Sequence, residues 1–261
     1  MVKIVCWNVN SIGARIENFI KFVNEEAPDI ILLQELKCIE ERFPREIIDE
    51  FSFNVALNCQ KARNGVAILS KYPIEDIITD LPENPDIEQA RYIEAVVTVE
   101  GKVLRVASVY VPNGQEVGHE KFWYKLKFFD SLRGRLEELI NFEEVIVIGG
   151  DYNVAPERND VFSPTTSEGK LCFNIEERKK FRELVNVGFY DAYRALNPDK
   201  QEFTWWDYRA GAWQYNKGLR LDHLLMSPKA VDKLREVMIH SKVRGWDRPS
   251  DHAPVICELD L

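Results

Sequence analysis

The chain has 261 residues, 45% of them hydrophobic and 30% charged, a composition that suits a packed domain and argues against disorder. No stretch approaches the roughly 20 consecutive apolar residues that a membrane helix needs. The net charge of −9 weighs against a protein that coats nucleic acid non-specifically, because such binders carry a broad basic footprint. It leaves recognition through a small basic patch open, and metal-binding carboxylates add to the negative count.

In chain order, residues 2–7 form a compact apolar strand candidate that begins almost at the first residue, which does not read as a secretory leader. Residues 12–26 have helical spacing, with Ile16, Phe19, Ile20 and Val23 on one face. Pro28 breaks that run before Ile30–Gln34, a second short buried-strand candidate. Strands are expected at 65–70, Tyr92–Val99, 103–111 and 145–149, with Glu100-Gly101 as a hairpin turn between two of them. Helices are expected at 121–140 and 176–187, the latter ended by Gly188, and a last strand at 254–259. No linker or low-complexity segment divides the chain, so one domain over 1–261 is expected. A faint echo joins its halves: one apolar strand runs into Trp7-Asn8-Val9 and another into Asp151-Tyr152-Asn153-Val154. An α/β sandwich of two sheets with a site at one rim fits this pattern.

The five cysteines, Cys6, Cys38, Cys59, Cys172 and Cys257, are odd in number and scattered. That argues against zinc ligation and a disulfide framework, and a reducing cytoplasmic home is expected. No P-loop, GxGxxG or GxSxG pattern is present, so nucleotide-cofactor and serine-hydrolase chemistry have no support.

Polar residues at the ends of apolar strands carry the chemistry. Asn8 follows the first strand and Glu35 the second. Asp151 and Asn153 follow 145–148 through Gly149-Gly150, Asp222 follows 219–221, and Asp251-His252 precede the last strand. One such residue is ordinarily a turn or a helix cap; five such segments point to a shared rim. Mg²⁺ takes hard oxygen ligands and keeps several waters, so one or two carboxylates suffice, with Glu35 the leading candidate. Asp151 and Asn153 share a side of an extended segment, offering a base and a phosphate-positioning amide. The two glycines before them suit a tight turn. His252, in SDHAP, is a proton donor or phosphate-stabilising imidazole, and Asp222 could favour its charged form. Residues 205–220 interleave Trp205, Trp206, Tyr208, Trp213 and Tyr215 with Arg209, Lys217 and Arg220, which suits either stacking and phosphate contacts or a tryptophan-rich core edge. Lys61 and Arg63, and Lys242, Arg244 and Arg248, are further basic clusters.

The segments WNVNS (7–11), LQELK (33–37), NGVAILS (64–70), SVYVPNG (108–114), GGDYNVAP (149–156), TWWDYR (204–209), GLRLD (218–222) and PSDHAP (249–254) resemble the exonuclease III branch of the endonuclease/exonuclease/phosphatase superfamily, in its order and over nearly the whole chain. The resemblance implies a four-layer α/β sandwich, two packed mixed β-sheets flanked by helices (DNase I-like). It assigns Asn8 and Glu35 to Mg²⁺, with Asp251 as a possible second-site ligand and Mn²⁺ as a possible substitute. Asp151 would activate water, Asn153 and Asn113 would hold the phosphate, and Tyr110 would contact it or assist the leaving group. His252, paired with Asp222, would stabilise transition-state charge. Trp205, Leu219 and Leu221 would line a pocket for a flipped, baseless sugar.

After YVPN the sequence runs Gly114-Gln115-Glu116-Val117-Gly118, without the arginine that some relatives insert into the duplex here. Arg209 is the candidate for a similar role. The implied activity is incision 5′ to abasic sites in double-stranded DNA, with processing of blocked 3′ ends, by a monomer in base excision repair. The rivals are a phosphoesterase acting on a lipid or inositol phosphate and a catalytically silent binding module.

Overall fold

The computed structural model describes residues 1–261. In chain order the elements are β1 (Val2–Asn8), α1 (Ile16–Glu26), β2 (Ile30–Gln34), α2 (Arg45–Asp49), β3 (Asn54–Asn58), β4 (Val66–Ser70), β5 (Ile74–Ile78), β6 (Tyr92–Val99), β7 (Lys102–Tyr110), α3 (Glu120–Leu139), β8 (Val145–Asp151), α4 (Pro164–Ser167), α5 (Ile175–Asn186), β9 (Tyr190–Asp191), α6 (Ala192–Leu196), β10 (Asp222–Met226), α7 (Pro228–Val231), β11 (Leu234–Ile239) and β12 (Val255–Leu259).

The strands form two six-stranded sheets, ordered β11-β12-β1-β2-β4-β3 and β5-β6-β7-β8-β10-β9. Taken from matching edges, they carry the same series of pairings. The centre of each is one parallel pair, β1 with β2 and β7 with β8, and every other pairing is antiparallel. The echo between the halves therefore reflects β1 and β8 in equivalent central places.

Period-2 alternation divides the side chains of each strand between two layers. Ile4 and Cys6 of β1, Ile30 and Leu32 of β2, Val106 of β7 and Val147 of β8 meet between the sheets in a core of 25 buried residues. Val5, Trp7, Ile31 and Leu33 face outward onto Phe19, Phe22 and Val23 of α1. On the far side, Val109, Ile146 and Ile148 meet Phe128, Phe129, Leu132 and Leu136 of α3 and Phe181 and Leu184 of α5. Helix, sheet, sheet, helix is the four-layer sandwich expected.

The Glu100-Gly101 hairpin is present: Val99 pairs with Lys102, and both turn residues have positive φ, +50° and +82°, the mirror-image turn that matches strand twist. Gly149 and Gly150 behave differently from the expectation. They make no turn but lie inside β8, where Gly150 pairs with Val109. A Cβ on Gly149 would stand 2.7 Å from Leu32 Cδ1 of the other sheet, and one on Gly150 2.1 Å from the Val109 carbonyl. Close approach of the strands, not chain reversal, requires both glycines. The first helix also starts later than its apolar period suggests: residues 13–15 form a 3₁₀ turn, and Asn10 and Ser11 have positive φ, so the chain turns over the rim before α1 begins.

Candidate active site

The topology decides which strand ends meet. Parallel neighbours present the same end to one rim, and antiparallel neighbours the opposite end. The C-terminal ends of β1, β2, β7 and β8 and the N-terminal ends of β10 and β12 therefore share one rim. They carry Asn8, Glu35, Tyr110, Asp151, Asp222 and the Asp251-His252 pair.

Asp151 is the hub and is buried. Asn8 Nδ2 lies 3.0 Å from Asp151 Oδ2 and 2.9 Å from Glu35 Oε1, joining carboxylates from the two sheets. The Asn153 backbone N–H donates to Asp151 Oδ1 at 2.9 Å and its amide to Oδ2 at 3.2 Å. His252 Nε2 stands 3.6 Å from Asp151 Oδ2, and its Nδ1 is 2.8 Å from Asp222 Oδ2. Asp151 and Asp222 are paired residues on β8 and β10, so the two carboxylates hold the imidazole between them.

Charge in this cluster follows from burial and neighbours. Burial, with Asp222 and Glu35 close by, pushes Asp151 up to about 7, against the pull of His252. Burial alone would discharge His252, but Asp222 and then Asp151 outweigh it and hold the ring up to about 10. His252 is therefore an imidazolium at neutral pH. Burial also pushes Glu35 up, yet Lys37, 2.6 Å from its Oε2, and Asn8 keep its carboxyl below the ordinary range. Burial, then Glu35 and Asp151, push the Tyr110 hydroxyl well up, so it stands there as a neutral donor.

Asn113 Nδ2 donates to Asn153 Oδ1 at 3.1 Å, and Asn153 Nδ2 to the Val111 carbonyl at 3.0 Å. The two amides, from the loop after β7 and the segment after β8, form one polar wall. Asp251 stands apart from the hub: Asn10 donates to its Oδ1 at 2.8 Å and Trp205 Nε1 to its Oδ2 at 3.0 Å. Trp205 also bridges His252 and Leu219 in backbone pairing. Trp205, Leu219 and Leu221 join Leu171, Val161 and Phe173 in a small apolar cluster beside the imidazole. Arg209 is exposed at the surface and pairs with Asp207 at 2.7 Å, outside the cluster around Asp151.

Several residues that shape the rim lie in the resembling segments, but the sequence assigned them no role. Ser250 Oγ donates to the Asn8 carbonyl at 2.7 Å and accepts from the His252 N–H, fixing the SDH loop against β1. Thr204 Oγ1 accepts from the backbone N–H groups of Leu221 and Asp222. Between the sheets, Gln34 Nε2 donates to Ser108 Oγ at 2.9 Å, one residue below Glu35 and two below Tyr110. The other histidines have their own duties: His119 caps α3, His223 is buried against Arg220 and the Val154 carbonyl, and His240 faces Glu26. The tryptophan-rich segment divides. Trp206 is core and packs edge-on against Trp213, whereas Tyr208 and Tyr215 are exposed.

Glu35, Asp151 and His252 bring their ligand atoms within 4.8 Å of one another. An imidazolium has no lone pair to offer, so the donors available to a cation are the two carboxylates. They are hard oxygens that converge from two sheets on one point, with the Glu35 carboxyl held ionised, and this fits a divalent cation. Asn8 presents Nδ2 here while its Oδ1 accepts from the Asn10 N–H; to offer oxygen to a metal the amide must turn.

One groove, of about 470 Å³, adjoins the hub and is lined by Tyr110 and Asn113 together with Arg63, Arg91 and Lys121. Another, of about 740 Å³, lies further along the surface and is lined by Arg15 and Arg248 but also by Glu17 and Asp247. The acidic total thus coexists with one locally basic groove, the one at Tyr110 and Asn113.

The sequence pattern of the Endonuclease/Exonuclease/phosphatase family matches residues 5–252. The chain belongs to that family. As a member of it, the protein is 34% identical to "Exodeoxyribonuclease III" of Haemophilus influenzae over 99% of this chain and 100% of the relative. It superposes on the 3′ phosphatase NExo from Neisseria, bound to a product DNA hairpin, with a TM-score of 0.95 at 35% identity, both chains fully covered. An AP endonuclease from Archaeoglobus fulgidus gives a TM-score of 0.92 at 33% identity, again with both chains covered. The family member described here is thus a phosphoester hydrolase of the exonuclease III type with the fold of these DNA enzymes. None of its helices is long and apolar enough to cross a membrane.

Proposed function

We propose that this protein is a Mg²⁺-dependent DNA repair nuclease that incises double-stranded DNA on the 5′ side of abasic sites and processes blocked 3′ ends. The observation that carries the reading is the chain of contacts Asp222–His252–Asp151–Asn8–Glu35, which sets a buried base, an imidazolium and a cation-binding carboxylate around one point. Arg63, Arg91 and Lys121, in the groove that Tyr110 and Asn113 also line, suit a phosphate backbone.

The ion would be held by Glu35, with Asn8 and Asp251 as further candidates and Mn²⁺ as a substitute; the chemistry it would supply is Lewis-acid neutralisation of phosphate charge. Asn113 and Asn153 orient the phosphate for in-line attack. Asp151 takes the proton of the attacking water. The His252 imidazolium, held by Asp222, faces the charge that builds on the phosphorus oxygens in the transition state. Tyr110 donates to the phosphate or the leaving oxygen. Trp205, Leu219 and Leu221 offer an apolar wall that suits a deoxyribose without its base, and extrusion is easiest where stacking is already lost.

Competition distinguishes this from the lipid- or inositol-phosphate reading. Purified protein with Mg²⁺ is offered an abasic duplex and an inositol phosphate at equal concentration. Turnover of DNA alone is the expected result; hydrolysis of the inositol phosphate with the DNA left intact would contradict it. The activity is expected from a monomer in the cytoplasm, as part of base excision repair.

A further inference from the structure

Lys125 lies where an ammonium needs a reason. Phe122, Leu126, Phe129 and Leu132 of α3 form its buried stripe, and Lys125 falls in that stripe with a side chain 0% exposed. A buried charge is costly unless it is paired and hydrogen-bonded. Lys125 Nζ pairs with Glu177 of α5 and donates to the Asn153 carbonyl at 2.7 Å and the Asn113 carbonyl at 3.2 Å. All three of its donors are used.

The choice of partners sets it apart from an ordinary helix-to-helix ion pair. Two of the three are carbonyls of the residues whose amides form the polar wall beside Asp151. Asn153 sits at φ +52°, a left-handed state that a non-glycine residue adopts at a cost, and the turn after Asn113 is made by Gly114 at φ +96°. A Cβ on Gly114 would stand 3.3 Å from Lys125 Cδ, so the loop rests directly on the lysine stem. Glu177 is the remaining partner, and its other oxygen accepts from the Asn174 N–H at the start of α5. The carboxylate neutralises the ammonium but touches neither amide segment.

We propose that Lys125 is a positioning residue of the hydrolytic site: its ammonium pins the Asn113 and Asn153 carbonyls so that both amides face one phosphate together. This rests on the phosphodiester-hydrolase reading above. A structural ion pair would be weakened alike by removing either partner, and a well-packed apolar side chain in its place would be tolerated. A positioning clamp makes the two partners unequal, because loss of Glu177 leaves both carbonyl bonds in place.

The experiment compares Lys125→Met, Glu177→Gln, Asn153→Ala and the Lys125→Met/Asn153→Ala double variant. Three readouts are taken: turnover of a duplex carrying one tetrahydrofuran abasic analogue with Mg²⁺, the denaturant midpoint, and the side-chain amide NMR signals of Asn113 and Asn153. Lys125→Met is expected to lower kcat about 10²-fold, the scale of a small misplacement, with KM changed only a few-fold and both amide signals shifted. Glu177→Gln is expected to unfold earlier with kcat and the amide signals nearly kept. The double variant should lose less than the two single losses combined, because the part of the lysine's effect that passes through Asn153 is already gone and only the part through Asn113 remains. Equal losses in Lys125→Met and Glu177→Gln that track stability, or additive losses in the double variant, would overturn the proposal. Should Lys125→Met fail to fold, Lys125→Gln takes its place and must show the same non-additivity. A wild-type protein that leaves the duplex intact removes the functional reading instead. The amide signals then decide on the clamp, and unchanged signals in the lysine variant overturn it.

Discussion

His252 Nδ1 lies 2.8 Å from Asp222 Oδ2, while Nε2 of the same ring stands 3.6 Å from Asp151 Oδ2. One imidazole is thus clasped between the first residue of β10 and the last of β8, and its charge is maintained by both. Removing Asp222 withdraws the larger support. Asp222→Asn is expected to lower kcat about 10²–10³-fold. It should also bring the ring's ionisation down from about 10 towards neutrality. Because the charged ring is the active form, the alkaline fall in rate moves to lower pH in the variant. A pH–rate profile with an unmoved alkaline limb would remove Asp222 from this role.

Asp151 serves chemistry more than affinity. Asp151→Asn keeps the shape and the bond from the Asn153 backbone N–H, but its amide nitrogen can neither accept from the Asn153 and Asn8 side chains nor take a proton. Turnover is expected to fall about 10²–10⁴-fold, the usual range for a general base, while abasic-duplex binding by fluorescence anisotropy stays within a few-fold. Near-normal turnover in this variant would exclude Asp151 as the base.

The site should release protons when it takes up its ion. With Asp151 held at about 7, a part of the population is protonated at neutral pH, and a divalent cation at Glu35 favours the carboxylate. Calorimetric titration of Mg²⁺ in buffers of different ionisation enthalpy is expected to show net proton release at pH 7. Glu35→Gln should abolish the binding heat. Heats independent of the buffer would contradict the placement of the ion beside Asp151.

Much of the fold and the rim was legible in the sequence because each polar site residue ends or begins an apolar run. Strand polarity then gathers those ends whatever the strand order. Elements without a clean period were not legible. β5, Ile74–Ile78, lies almost wholly exposed at a sheet edge, and β3, Asn54–Asn58, has a single buried residue. Asp222 reads as the end of a strand over 219–221 yet begins β10, because the extended backbone before it pairs only through single bridges. The local pairing of Arg209 with Asp207, two residues away, was not legible from its aromatic neighbours. Ser250 and Thr204 lie in the resembling segments, but each ties one hydroxyl to the backbone of a distant segment, a role that no spacing reveals. Lys125 did carry a signal, a lysine in an apolar helical stripe, but its meaning depends on loops more than ten residues away.

Stability beneath the apolar wall depends on Arg220. This buried guanidinium contacts Asp160 at 2.6 Å and Asp191 at 2.7 Å, and both carboxyls are held below their ordinary range, burial being outweighed by Arg220. Arg220→Met leaves two buried carboxylates without their main partner. A loss of about 3–5 kcal/mol is expected from denaturant melts. Groups with depressed ionisation contribute stability above their unfolded value near 4, and that contribution is lost as pH falls through the lower folded value. Wild type should therefore hold its stability down to about pH 4 and lose it below, whereas the variant should show a weaker acid slope. Identical acid slopes would contradict the assignment.

Gly150 offers a test of the close strand approach. A methyl group there would meet the Val109 carbonyl at 2.1 Å, and the β7–β8 ladder leaves it no room. Gly150→Ala is expected to cost about 3 kcal/mol and to reduce turnover through Asp151, the next residue. A melt within 0.5 kcal/mol of wild type, about the scale of a neutral surface change, would show that β8 yields there.

The central claim is metal-dependent incision at a lesion. Its most direct test is cleavage of an end-labelled duplex carrying one abasic-site analogue, with Mg²⁺ and with EDTA, beside a matched undamaged duplex and a 3′-phosphate duplex. The account predicts a single cut 5′ to the lesion that requires Mg²⁺, removal of the 3′-phosphate, and slower digestion of the undamaged strand. Folded protein that leaves the lesion uncut with either Mg²⁺ or Mn²⁺, or that cuts equally well in EDTA, would contradict it.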